Sequence, residues 1–215
     1  MQPNAAKCEV MSANPTKRQT LIYPDLHLLG VSLPVVDSCK LLGVHLNGQL
    51  NWDTHVSFMI KRANSCMFII YRAKKIGFSI EAMLTLYLWH LRTGLEYACP
   101  VWHSGLTQLH HTRIERIQRR ALRVILGNQY QTYENALERL NITSLYDRRE
   151  MLTLRFGRSL LRSPTHRHLL PPTNGEVHGR RTRNQGLLRT VQARTERYRR
   201  STVPYVANLI NRNAS

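Results

Sequence analysis

Acidic side chains are scarce in this 215-residue chain: 13 Asp and Glu stand against 31 Lys and Arg, a formal net charge of +18. The four aspartates, Asp25, Asp37, Asp53 and Asp147, are scattered with no two adjacent, whereas a metal-dependent polymerase or nuclease gathers carboxylates around Mg²⁺. None of the ten histidines has an acidic residue two positions later, so the opening of a two-His-one-carboxylate iron site is missing. There is no P-loop, no GxGxxG and no GxSxG elbow. Cys8, Cys39, Cys66 and Cys99 lie far apart and form no CxxC pair, which removes the usual zinc and redox-dithiol signatures. The richest apolar stretches, residues 66–71 and 82–89, fall well short of the ~18 residues that span a bilayer. The first eleven residues are polar and lack the apolar segment of a signal peptide. The expectations are an intracellular chain, nuclear or cytoplasmic, with no membrane partner, no metal, no cofactor and no catalysis of its own.

An apolar share of 42% is enough for a core, so a wholly disordered basic protein is excluded. The positive charge is concentrated late. Residues 1–100 carry ten basic and six acidic side chains, and residues 101–215 carry twenty-one and seven. Lys75 is the last lysine. Arginine presents a planar fork of donors matched to phosphate oxygens and also stacks on bases, so an all-Arg basic half points to nucleic acid. Compositional drift toward Arg codons is the competing explanation.

Residues 19–50 read as strands and turns. Leu26-His27-Leu28 and Val31-Ser32-Leu33 flank Leu29-Gly30 as a tight hairpin. Residues 40–46 form a β-prone run that ends at the turn pair Asn47-Gly48, and Gly43 inside it suggests a bulge or a close backbone approach. From Trp52 the period becomes helical: Val56, Met59, Ala63, Met67, Ile70 and Ala73 recur every three or four residues up to Gly77. Asp53 or Thr54 is the expected cap of this helix, which is a plainer role for Trp52-Asp53-Thr54-His55 than acid–base chemistry. Ser79 is suited to cap a second helix whose buried face is Met83, Leu84, Tyr87, Leu88 and Leu91. Tyr97, Pro100 and Trp102 mark a break or a packed corner.

The third helix, within residues 106–126, separates its faces. Ile114, Ile117, Ala121, Val124 and Ile125 cluster in one sector, and Arg113, Arg116, Arg120 and Arg123 in another. That row of guanidiniums extends about 15 Å, a length matched to several phosphates. A solvated face with Glu115 paired to Arg119 is the bland alternative. Short and long helices follow, at 133–140 and from about Ser144 to Leu161, the latter with Asp147 at a loose capping-box position. His110-His111 and His166-Arg167-His168 are read as solvated, since neighbouring helical histidines point about 100° apart. Residues 164–200, with Pro171-Pro172 and the Arg-dense stretch from Arg180, are expected to be extended or disordered alone and to order on a polyanion.

Five segments in order carry a resemblance. They are Asn4-x-x-Lys7-Cys8-x-x-Met11; Lys40-Leu41-Leu42-Gly43-Val44 with Leu50-x-Trp52-x-x-His55; Leu95-Glu96-Tyr97-Ala98-Cys99-Pro100-Val101-Trp102; Ile114-Glu115-x-Ile117-Gln118-x-Arg120-Ala121-Leu122-Arg123; and Arg194-Thr195-Glu196-Arg197-Tyr198 with Val203-Pro204-Tyr205 and Leu209-x-Asn211. Together the chain resembles the downstream part of the reverse transcriptase of non-LTR (LINE-type) retrotransposons.

The resemblance implies an α+β chain: small N-terminal antiparallel β hairpins, then a mainly helical thumb-like bundle and an Arg-rich, partly disordered tail. The implied divisions are residues 1–50 as palm remnant and primer grip, 51–163 as thumb and 164–215 as tail. The family's Tyr/Phe-Ala-Asp-Asp hairpin is not in the chain, and Met1 directly before the first segment suggests a truncated copy. The implied partner is RNA or DNA as a template–primer duplex, held through phosphates. By position, Lys7 matches the lysine of the strand after the catalytic hairpin, near the incoming nucleotide. Leu42, Gly43 and Val44 match the primer grip, and Arg113, Arg116, Arg120 and Arg123 face the duplex. Thr93-Gly94 replaces a common family proline, so a kink there is expected to be straighter. Two other functions compete: an inert translated relic of a decayed element, and an enzyme with an unrecognised site, which the missing acidic partners of the histidines argue against.

Overall fold

The computed structural model describes residues 4–13, 25–178 and 183–214. The strand-and-turn expectation at 19–24 and the start of the Arg-dense stretch at Arg180 and Arg181 lie outside them. The chain is α+β, with two small hairpins early in the sequence and helices thereafter. It divides into two units, residues 1–58 and 59–215.

In the first unit, the Asn4 side chain accepts the Ala6 N–H (3.1 Å) and caps a single 3₁₀ turn, Ala5–Lys7. The expected strand at 4–11 therefore opens as a turn, because the asparagine offers the backbone a local partner. Extended chain follows, and Val10 forms a parallel bridge with Val35. Strands β1 (His27–Leu28) and β2 (Val31–Ser32) pair as expected across Leu29-Gly30. Both turn residues have positive φ, 52° and 77°, as a hairpin turn twisted to match its strands requires.

The second hairpin corrects the sequence reading. Residues 40–46 are not one bulged strand. They belong to β3 (Ser38–Leu41) and β4 (Val44–Asn47), antiparallel with Leu41 opposite Val44. Leu42 and Gly43 form the turn between them, with φ of 46° and 84°. The close approach falls instead at Gly48, where a Cβ would lie 2.8 Å from the Ser12 carbonyl oxygen. The two glycines thus exchange the roles expected of them.

Helix α1 (Asp53–Ile76) crosses the boundary between the units. The Asn51 side chain accepts the Asp53 N–H at its start. All six expected positions, Val56, Met59, Ala63, Met67, Ile70 and Ala73, are buried. At its end the Phe78 and Gly77 amides donate to the carbonyls of Ala73 and Lys74, with Gly77 at φ 87°, the closure that glycine makes cheap.

In the second unit, Ser79 caps α2 (Ile80–Leu86) by accepting the Ala82 N–H (3.2 Å). The helix then widens into a π-helical stretch, Tyr87–Arg92, before α3 (Thr93–Glu96). That wide turn shifts the register of the residues after it. Met83, Tyr87 and Leu91 are buried, while Leu84 and Leu88 are only half-buried. Thr93 and Gly94 stay helical, and the irregularity lies just before them. Ala98, with φ 51°, turns the corner into α4 (Cys99–Trp102). Pro100 sits in its first turn, where a missing N–H costs nothing, and the buried Trp102 donates its indole N–H to the Tyr97 carbonyl (2.9 Å).

Helices α5 (Gln108–Leu126), α6 (Tyr133–Arg139) and α7 (Leu145–Arg162) complete the bundle. Ser144 and Asp147 cap α7 reciprocally: the serine oxygen accepts the Asp147 amide (3.1 Å), and its hydroxyl donates to the carboxylate (2.6 Å). Beyond Ser163 come α8 (Asn174–His178), α9 (Glu196–Arg199) and α10 (Thr202–Arg212). The stretch expected to be extended carries two anchors, Leu170 and Leu188, buried with Val206, Ala207 and Ile210 of α10 and flanked by Leu154, Leu160 and Leu161 of α7. Gly157 is the point of closest approach, since a Cβ there would collide with Val206 and reach 3.0 Å from Ile210. Among the described residues no helix is long and apolar enough to cross a membrane.

Candidate nucleic-acid interface

The apolar sector of α5 turns inward as read from the sequence. Ile114, Ile117, Ala121 and Ile125 are buried and Val124 half-buried. Of the opposite row, Arg116, Arg120 and Arg123 are exposed and Arg113 is half-buried. Two of these are held in place. The Arg120 guanidinium donates to the Asn64 side chain of α1, and Arg123 lies over the Tyr130 ring at 5.3 Å. A guanidinium stacked or tethered at one edge keeps its other N–H groups for an outside acceptor and loses less freedom on binding.

Glu115 does not pair with Arg119. Its carboxylate accepts from the Tyr133 hydroxyl and from the Leu145 amide (3.0 Å), while Arg119 lies over the Tyr133 ring at 4.6 Å. This carboxylate ends a buried chain of hydrogen bonds centred on Gln118, which is fully buried. The Gln118 amide donates to the Tyr133 oxygen (2.8 Å) and to the Thr143 carbonyl (3.1 Å), and its oxygen accepts from the Tyr87 hydroxyl. The arginine row therefore stands on a helix pinned from beneath to α6, to the loop before α7 and to the π-helical stretch.

The other expected site residues are dispersed in character. Lys7 is exposed on its 3₁₀ turn. Leu42 is 84% exposed at the hairpin tip, Gly43 shares the turn, and Val44 is buried. Val44 therefore serves the interior of the first unit, and only Leu42 presents a side chain outward.

Of the histidines read as solvated, His166 and His168 are exposed, whereas His110 is buried and His111 half-buried. His110 is buried because it closes a capping box: its amide donates to the Thr107 hydroxyl oxygen (3.3 Å) and its ring accepts the Thr107 amide (3.4 Å). His55 is also buried, and its Nδ1 accepts the His45 amide. His111 and His103 flank a residue that sequence reasoning passed over, Arg149, which is wholly buried. The Arg149 Nε donates to His103 Nδ1 (3.5 Å) and its Nη2 to His111 Nδ1 (3.4 Å). Arginine only donates, so both imidazoles act as acceptors at Nδ1 and carry their proton on Nε2. Burial, reinforced by the adjacent guanidinium, lowers His103 to about 3 and His111 to about 4. Nothing in a linear pattern marks Arg149, because its partners lie 46 and 38 residues away.

A second row was also missed, although spacing could have found it. Arg155, Arg158 and Arg162 follow one face of α7 and line a groove with Met151 and Leu154. Glu96 meanwhile neutralises two arginines at once, Arg92 (2.6 Å) and Arg148 (3.3 Å). Among the described residues no three His, Cys, Asp or Glu side chains gather as a metal site would require.

Among known proteins, a stretch of 134 residues, 61% of this chain, is 27% identical to the "Probable RNA-directed DNA polymerase from transposon X-element" of Drosophila melanogaster. Over that stretch the chain is similar to an RNA-directed DNA polymerase. It spans 14% of that relative's length. No family model matches the chain, and no solved structure matches it.

Proposed function

We propose that the chain is the template–primer-binding, non-catalytic part of a non-LTR reverse transcriptase, with the α5 arginine row gripping the phosphates of an RNA or DNA duplex. The observation that carries this reading is the division of α5 into an interior face locked by Gln118 and an outward row, Arg116, Arg120 and Arg123, on a chain of net charge +18. A clamp on a polyanion needs regularly placed donors on a stiff support and no reading of base edges. In this proposal Leu42 at the strained hairpin tip touches the primer end, Gly43 shapes that tip, Val44 supports it from beneath, and Lys7 faces the nucleotide site of the complete enzyme. Similarity to a polymerase from a transposon supports nucleic acid as the partner, and the scattered aspartates support the absence of synthesis.

Binding of a labelled template–primer duplex, followed by anisotropy across a salt series, tests this. Affinity is expected to fall linearly with salt on logarithmic axes. Arg116→Gln should weaken all sequences equally and lower the slope by about 1. A folded chain that ignores the duplex at low salt, or one that extends the primer unaided, overturns the proposal.

A further inference from the structure

A cavity of about 220 Å³ lies among the α4–α5 connection, α5, α7 and the α9–α10 segment. Its walls include Arg199, Arg200 and Arg212 together with His103 and His111. We propose that this cavity is a binding site for a phosphate group, a tetrahedral anion presented either as free phosphate or as the terminal phosphate of a nucleic-acid chain. The second source rests on the nucleic-acid reading above; the first does not.

Charge balance supports this assignment. One exposed carboxylate, Glu196, serves two of the three guanidiniums, Arg199 at 3.2 Å and Arg200 at 3.7 Å. Arg212 has no ion-pair partner among the described residues. The two imidazoles lead inward to Arg149, whose Nη1 is buried without a hydrogen-bond partner and which has no carboxylate within ion-pair distance among the described residues. A buried guanidinium without a counter-ion is costly, and an anion in the adjoining cavity reduces that cost.

Geometry and size agree. With each Nδ1 turned to Arg149, the remaining ring donor on His103 and His111 is Nε2–H, so the rings offer neutral donors beside cationic ones. Tyr146 and Tyr205 also line the space. The Tyr205 hydroxyl donates to Glu150 (3.1 Å), so it is not among the donors to the anion. The volume is below the range typical of drug-sized ligands and suits a compact polar group. Because both histidines are neutral at ordinary pH, the arginines supply the attraction.

Calorimetric titration of the full chain with inorganic phosphate tests the site. Saturable binding is expected, weakened at least about tenfold in the double variant Arg200→Gln/Arg212→Gln and unchanged in Arg139→Gln, which lies outside the cavity. The ring resonances of His103 and His111 should shift during the titration of the unaltered chain. The absence of saturable binding, or a double variant that remains folded and binds as tightly as the unaltered chain, overturns the site. Displacement of phosphate by a 5′-phosphorylated oligonucleotide, and not by its 5′-hydroxyl twin, assigns the chain end as ligand. Equal displacement by the two excludes that source. A negative phosphate titration leaves the duplex anisotropy measurement intact, so the two proposals fail separately.

Discussion

Gln118 illustrates how one side chain can organise several helices without contributing to an apolar core. It satisfies Tyr87, Tyr133 and the Thr143 carbonyl from a single amide. Replacement by leucine keeps the volume and removes the partner of the buried Tyr87 hydroxyl and of the Thr143 carbonyl, while Tyr133 keeps Glu115. Gln118→Leu should cost on the order of 2–4 kcal/mol in urea unfolding, and adding Tyr87→Phe should recover part of it, because removing both partners is cheaper than removing one. Periodicity revealed the apolar neighbours Ile114, Ile117 and Ala121 but is blind to a polar residue lodged among them. Arg149 escaped for the same reason: its burial depends on His103 and His111, which only the tertiary fold brings near.

Elements were legible where local chemistry decides them. The burial of α1 follows from its 3.6-residue repeat, and the Ser79 and Ser144 caps from the order of side chains around them. The second hairpin was misplaced because Asn47-Gly48 is the stronger turn signal in isolation, whereas pairing Leu41 with Val44 requires the turn at Leu42-Gly43. The packing of α10 on α7 was not legible, since it depends on one missing methyl group. Gly157→Ala places that methyl against Val206, a stiff β-branched side chain. Overpacking outweighs the better helix propensity of alanine, so a net loss of roughly 1 kcal/mol is expected. The same change paired with Val206→Ala should restore the melting temperature.

For the whole molecule, the buried histidines make stability depend on acidity. Burial holds His103 at about 3 and His55 and His111 at about 4, all below the ordinary 6.5. Unfolding lets each of them take up a proton first, so the unfolded chain binds more protons between about pH 6.5 and pH 3–4. Stability is therefore full above pH 6.5 and declines steadily through that window. Urea midpoints should drop between pH 7 and pH 4.5, and His103→Gln should flatten the decline, as measured by fluorescence. The abundance of positive charge adds self-repulsion in the same direction.

The wide turn at Tyr87–Arg92 has a consequence for how the gene can change. It holds one residue more than a regular helix would place there, so loss of a single codon would let the local backbone relax into ordinary α-helical winding. The segment after it, from Leu95 to the Trp102 corner, would then keep its facing, whereas the same loss inside a regular helix such as α5 would rotate every later residue by about 100°. A one-residue deletion should therefore be tolerated here better than in α5 or α7, provided Tyr87 and Arg92, which hold Gln118 and Glu96, are kept.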